Sequence, residues 1–385
     1  MSYPGLTSKA CDNQPKGAAV RDSMVIFALT AGLRIPFTSK PYFADGPAHL
    51  LAIKQGVYLI EPPGYWLFNH SAALFPNPAM GISVLNILFA SLGAVIFYAV
   101  ARWFMPLFRA RAATALYATV FYAWFSAEVH STYASQLLFP VLTFYCLLRS
   151  LEGRRRSWLY AAAIAFAIGA GMRPSDGLFL LPMMIYFLFR YAWNWRAIGP
   201  TLLATILCLA WFIPTCIGLA KLQGVHNSLH YMANIVSVVS IARGLNSGSE
   251  ANIIRLLLPL LVAFGIVLMG LRRKWDEVDR LLALWIIPGF LFFLLSYVSD
   301  APYLDYFTAA IVLLCARGTS VRRLSAAALL NAVIFLFLPP ICTIGMARPA
   351  VLPVKVINHY VLQYTLPESR RHRLHRLSED QGSCY

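Results

Sequence analysis

Residues 79–101 read AMGISVLNILFASLGAVIFYAVA, an apolar run without one charged side chain. A helix that crosses the hydrocarbon of a bilayer needs about 20 such residues, because every backbone polar group must be bonded within it. This run meets that length, and comparable runs recur on both sides of it, at 20–38, 112–127, 133–149, 158–172, 176–192, 198–219, 253–271, 281–298, 302–316 and 324–343. The pattern predicts an all-α, polytopic transmembrane bundle of about 10–11 spans. Arg34 interrupts the first run near its end, and the runs at 112–127, 133–149 and 302–316 are short for full crossings. Short segments of multi-helix bundles often stop below the surface or break there.

Composition agrees. Of 385 residues, 59% are hydrophobic and only 12% charged, against roughly 45–50% and about 25% in soluble domains. So little charge cannot cover a soluble globule, which makes lipid the outer solvent and excludes an ordinary water-soluble enzyme. The net charge of +16 does not point to nucleic acid, since the Lys and Arg residues fall in short clusters between apolar runs, as in cytoplasmic loops. The seven cysteines form no C-x-x-C pair, and Cys146, Cys208, Cys216 and Cys315 lie within apolar runs. Neither a disulfide framework nor a zinc site is expected. Met24–Leu33 leads into Arg34, Ile35 and Pro36 rather than a small-residue cleavage site, so it reads as a first membrane anchor and not a cleaved signal.

With a cytoplasmic N-terminus, 19 Lys and Arg residues fall on the inner side and 7 on the outer, and 6 more lie in the C-terminal tail. The positive-inside bias therefore predicts the N-terminus inside a cell (inner) membrane crossed many times. A transmembrane domain over 1–343 then carries a first external loop at 39–78 and a second at 220–252. An external tail occupies 344–385, with Val354–Leu362 a candidate strand or short helix. No internal repeat is visible.

The first external loop contains Asp45-Gly-Pro47-Ala-His49, then Lys54-Gln-Gly56, then Glu61-Pro62-Pro63-Gly64-Tyr65-Trp66. Pro47 suits a first helical turn and Gly56 an end. A short interfacial helix is expected between them, with Asp45 at its start. Tyr65 and Trp66 read as aromatic anchors at headgroup level.

These residues resemble the GT-C membrane glycosyltransferases, most closely the protein O-mannosyltransferase-like branch (glycosyltransferase family 39-like). Two further stretches resemble the same branch: Ser126-Ala-Glu128-Val129-His-Ser-Thr-Tyr133, followed by an apolar run and Arg149, and Gly171-Met-Arg173-Pro174. Beyond residue 190 the likeness rests on hydropathy and Pro302-Tyr303-Leu304. The resemblance implies an inverting transfer of a sugar, in one displacement, from a polyprenyl-phosphate donor to a lipid, glycan or protein acceptor on the external face. The family's acidic residue maps onto Asp45, as the general base that takes the acceptor's proton. Arg173, and after it Lys54, is the candidate cation for the leaving phosphate. The chain departs from the family where Gly46 replaces a second acidic residue, where Glu61 replaces a histidine, and in its short tail, which suggests truncation.

Each residue also has a plainer reading. Asp45 suits a helix N-cap, and Arg173 could simply pair with Asp176 across one turn. Glu128, at the end of an apolar run, either belongs to the site or faces external water. His49, one turn from Asp45, either bonds donor or acceptor or stands as a surface residue. Glu61 is a candidate to pair with Lys54 or hold a divalent metal, but a lone carboxylate is a poor metal site, so no metal or cofactor is expected. Asp305, inside a late apolar run, suits a bundle hydrogen bond or a cavity lining. Two rivals stand beside the transferase, a transporter or lipid flippase and a non-catalytic, truncated relative.

Overall fold

Asn77 starts the longest helix. Its side-chain oxygen accepts from the amides of Ala79 (2.9 Å) and Met80 (3.3 Å), and Pro78 occupies the first turn, where no amide is needed. The helix runs Pro78–Phe104 and ends where Met105 turns extended before Pro106. At 27 residues and 1.5 Å per residue it is about 40 Å long, more than the hydrocarbon core needs.

In this computed structural model the described residues are 16–37, 45–59, 64–152, 155–192, 195–223, 249–268, 275–295 and 301–337. They form α1 (Lys16–Arg34), α2 (Asp45–Lys54), α3 (Trp66–Ala73), α4 (Pro78–Phe104), α5 (Leu107–Thr119), α6 (Phe121–Ser126), α7 (Ser135–Leu151), α8 (Arg156–Met172) and α9 (Pro174–Phe187). Then follow α10 (Ile198–Gln223), α11 (Ser249–Leu268), α12 (Glu277–Leu295), α13 (Asp305–Gly318) and α14 (Val321–Phe337). No strand occurs among the described residues. Among the described residues three helical stretches, Pro78–Phe104, Ile198–Lys221 and Glu277–Leu295, are long and apolar enough to cross a membrane.

The run expected as one span at 112–127 is two helices, broken at Val120. The break is held from outside: Asn331 Oδ1 of α14 accepts the Phe121 amide at 3.3 Å, and its Nδ2 donates to Ala327 and Ala263. The short helix α3 lies within the first loop expected at 39–78, where the sequence predicts only the helix at its start. Most of the second external loop, at 224–248, and the tail from 338 lie outside the described residues, so the candidate element at 354–362 does too.

The core is one apolar cluster in which α4 and α7 approach closely. At Gly93 of α4 a side chain would strike the Leu137 carbonyl. α10 is different. Leu202, Ile206, Leu209, Ile213 and Ile217 are exposed along it, the composition of a helix that faces lipid.

Charges sort to the two ends. At one end Arg111 grips Asp22 at 2.7 Å, and Arg317 binds Asp276 (2.5 Å) and Asp279 (2.8 Å). These are residues the charge count assigns to the inner side. Of the residues assigned to the outer side, Arg34 and Arg173 both act on Asp305, at the start of α13.

Candidate functional site

Pro174 pushes the residue before it out of the helical region. Arg173 is accordingly extended (φ −145°) between α8 and α9, its amide closing α8 on Gly169. That turn sends the side chain into the bundle, where only 4% of the residue is exposed. Its Nη1 donates to Thr132 Oγ1 at 2.9 Å, and its Nε lies 3.8 Å from Asp176 Oδ1. Asp176 is fixed in turn by Gln136 Nε2 at 2.6 Å. The plain ion pair read from the sequence therefore exists, but it is buried.

Three tyrosine rings enclose the guanidinium, with centroids at 4.3 Å (Tyr133), 5.4 Å (Tyr303) and 5.7 Å (Tyr65). Each comes from a different stretch of chain that the sequence singled out: the Pro-Pro-Gly-Tyr turn, the 126–133 segment and the late external turn. Tyr65 is thus not the interfacial anchor expected. Its ring is committed to Arg173 and His49 because Gly64 and Tyr65 both take left-handed backbone, at φ +97° and +52°. Only Gly64 does so freely. For Tyr65 the conformation is strained, and it persists because the surroundings hold it. Trp66 stacks instead on His70, at 4.8 Å.

The helix expected between Pro47 and Gly56 is present as α2, and Gly56 (φ +67°) closes it. Asp45 is its first residue, and its side chain lies outside the described part. His49, one turn on, is 1% exposed and not a surface residue. Its Nδ1 is 2.6 Å from Asn69 Oδ1, while Asn69 Nδ2 donates to the Tyr58 carbonyl at 3.0 Å. That second bond fixes the amide, so Nδ1 of His49 carries the proton. The His49 ring meets Tyr65 and Phe68 edge-on. Lys54, at the end of α2, is exposed and is not brought into the cluster, and Glu61 lies outside the described residues.

Glu128 does not face water: it is 6% exposed in the non-helical segment after α6. Burial pushes its carboxyl well above the usual carboxylate range, and the charge of Arg34 draws it back. Arg34 itself is 1% exposed, donates to the Ala118 carbonyl at 2.9 Å and lies over the Trp124 ring. Asp305, also 1% exposed, begins α13 two residues after Tyr303 and feels both Arg173 and Arg34. The sequence read Asp305 as a bundle hydrogen bond or a cavity lining, and Arg34 as an interruption of the first run and an outer-side charge. An ionisable residue within an apolar run was the signal available for both. Among the described residues no group of three His, Cys, Asp or Glu side chains could hold a metal ion.

This end of the bundle thus joins α1, α2, the 127–134 segment, the α8–α9 turn and the start of α13 around two buried cations, Arg173 and Arg34. The fold is the GT-C fold. It is similar to the crystal structure of ArnT from Cupriavidus metallidurans bound to undecaprenyl phosphate, with a TM-score of 0.53 and 14% sequence identity over 90% of this chain and 76% of that one. Residues 61–217 match the family model described as dolichyl-phosphate-mannose-protein mannosyltransferase. The resemblance read from the first loop is borne out by both. Comparison with the curated proteins gives no match.

Proposed function

We propose that this chain is an inverting membrane glycosyltransferase that moves a sugar from a polyprenyl-phosphate donor to an acceptor on the extracytoplasmic face of the cell membrane. The observation that carries the reading is Arg173, a permanently charged group buried at the outer end of the bundle where four separated stretches of chain meet. Burying a cation is costly without a use or a partner, and Asp176 at 3.8 Å is a loose partner. A phosphate group is the kind of anion that such a site suits, and the neighbour of like fold is described as bound to a polyprenyl phosphate.

In this reading Asp45 is the general base. An acceptor hydroxyl attacks the anomeric carbon from the face opposite the phosphate, the carboxylate takes its proton, and the sugar–oxygen bond to the phosphate breaks. The leaving phosphate gains negative charge, which Arg173 offsets. His49 lies one turn along the same helix, with its tautomer set by Asn69, and serves to order the acceptor side. Glu128 takes no part in the transfer itself and supports the site through Arg34. The acceptor class, whether lipid, glycan or protein, is left open by these residues.

The test is transfer of labelled sugar from a polyprenyl-phosphate donor by the purified protein. Asp45→Asn is expected to insert normally and lose about 10²–10⁴-fold in rate. Transfer at the wild-type rate by that variant would remove Asp45 from the mechanism.

A further inference from the structure

Arg156 opens α8 at the end of the bundle away from Arg173, where α10 also starts. The two helices meet closely there: a side chain at Gly199 would strike the Tyr160 hydroxyl and come within 3.1 Å of Arg156 Nη2. The Arg156 guanidinium lies over two rings, with centroids 5.1 Å (Trp195) and 5.6 Å (Tyr160) away. Among the described residues no carboxylate pairs with it, and its buried Nε meets no hydrogen-bond acceptor. The acids at this end are already engaged, Glu152 by Arg149 at 2.6 Å, and Glu277 by Arg280 at 3.1 Å and Arg190 at 3.7 Å. Arg155 is exposed beside Arg156, also without a carboxylate among the described residues. Arg154 and Arg196 adjoin the pair in the sequence and add to the same charge.

An apolar stripe leads away from this cation. Trp195, Ile198, Leu202, Ile206, Leu209 and Ile213 recur every three or four residues, which sets them on one face, and all are exposed, Trp195 at 68%. From Ile198 to Leu209 the helix advances about 16 Å, close to half of the roughly 30 Å hydrocarbon core. The stripe therefore begins at a cation and a tryptophan, the ring that favours headgroup depth, and runs one leaflet deep. A lipid with a net negative headgroup matches that layout, its phosphate on the guanidiniums and an acyl chain on the stripe. A zwitterionic headgroup places its own ammonium beside the phosphate and gains less from uncompensated arginines.

We propose that Arg155, Arg156 and Trp195 form a binding site for an anionic diacyl phospholipid, with one acyl chain laid along the exposed face of α10. The rings of Tyr160 and Trp195 hold the Arg156 guanidinium, so its planar fork is already ordered for the phosphate oxygens. Arg173 lies at the other end of α8, about 25 Å along the helix axis. The site therefore does not serve a phosphate bound at Arg173, and it stands whether or not the chain transfers sugar.

The probe is phosphatidylglycerol, with phosphatidylcholine of the same acyl chains as the reference. Each is added to delipidated full-length protein in detergent and counted by native mass spectrometry. Wild type is expected to hold phosphatidylglycerol about 5–10-fold more tightly than Arg156→Ala does, while phosphatidylcholine binds both equally. Arg156→Lys should recover part of the loss. Equal affinity of wild type and Arg156→Ala for phosphatidylglycerol would overturn the site. A second measurement leaves the arginines intact. A photoreactive benzophenone side chain in place of Leu202, in vesicles of equal parts phosphatidylglycerol and phosphatidylcholine, reports which lipid lies on the stripe. Labelling should favour phosphatidylglycerol, and labelling in proportion to the bilayer composition would also overturn the proposal. A millimolar excess of inorganic phosphate should leave the lipid in place, because the acyl chain supplies much of the binding. Displacement by phosphate would mark a site for the anion alone and sink the lipid assignment.

Discussion

Gly64 has no room for a side chain: a Cβ there would lie 2.9 Å from both Leu59 and Thr215, on backbone at φ +97°. Gly64→Ala is therefore expected to destabilise the protein by about 1–3 kcal/mol and to move Tyr65 off Arg173. A lower thermal midpoint in detergent, with a larger loss of transfer than the change in folded fraction explains, is the signature. At Arg173 itself, Arg173→Gln should cost about 10²–10³-fold in transfer rate. Arg173→Lys should restore little, since a point charge cannot present the planar fork that phosphate favours. If the lysine variant matched wild type, the phosphate role would be lost. The sequence exposed these residues unevenly. Asp45, Tyr65 and Arg173 stand in local patterns of Gly and Pro, and such patterns are readable. The convergence of Tyr133 and Tyr303 on Arg173 is a long-range fact, set by packing between segments far apart in the chain, so no local spacing could announce it. For the same reason no local pattern could choose between the buried and the water-facing readings of His49 and Glu128. Burial is decided by which helix arrives alongside.

Among the elements, α12 and α13 form a hairpin tied at its far end by Arg317, which binds Asp276 and Asp279 while Asp276 and Asp279 cap one another's amides. Asp279 has 1% of its side chain exposed, so removing Arg317 leaves a carboxylate buried without its cation. Arg317→Ala should cost about 3–5 kcal/mol. Arg280, 68% exposed in its pair with Glu277, makes the control, and Arg280→Ala should leave the thermal midpoint nearly unchanged because exposed pairs contribute little. Equal midpoints for the two variants would show that the Arg317 cluster does not hold the hairpin. Helix existence was legible from apolar runs of about 20 residues, and the ends of α4, α7 and α8 fall within a few residues of expectation. The break at Val120 was not legible, because its stabilising partner, Asn331, lies 210 positions away.

For the whole molecule, the exposed apolar row on α10 and the separation of charges to two ends describe a body with lipid around its middle. Which end meets the cytoplasm rests on the positive-inside count, and the donor reading needs α2 on the far side. Single cysteines introduced into a cysteine-free background test this. One at Gln55 should react with an impermeant maleimide added outside intact cells, and one at Arg155 only after permeabilisation. The reverse pattern would place Asp45 in the cytosol and end the proposal.

Arg34 has a consequence for how the protein is made. Its helix leaves the ribosome before the carboxylate that answers it, Glu128, and the carbonyl that accepts from it, Ala118, which belong to segments synthesised later. Until those arrive, the nascent first helix must keep its guanidinium at the headgroups or within the insertion machinery. Its final seat in the bundle is thus a late event in biogenesis, and a chain halted after α4 would hold that helix only loosely.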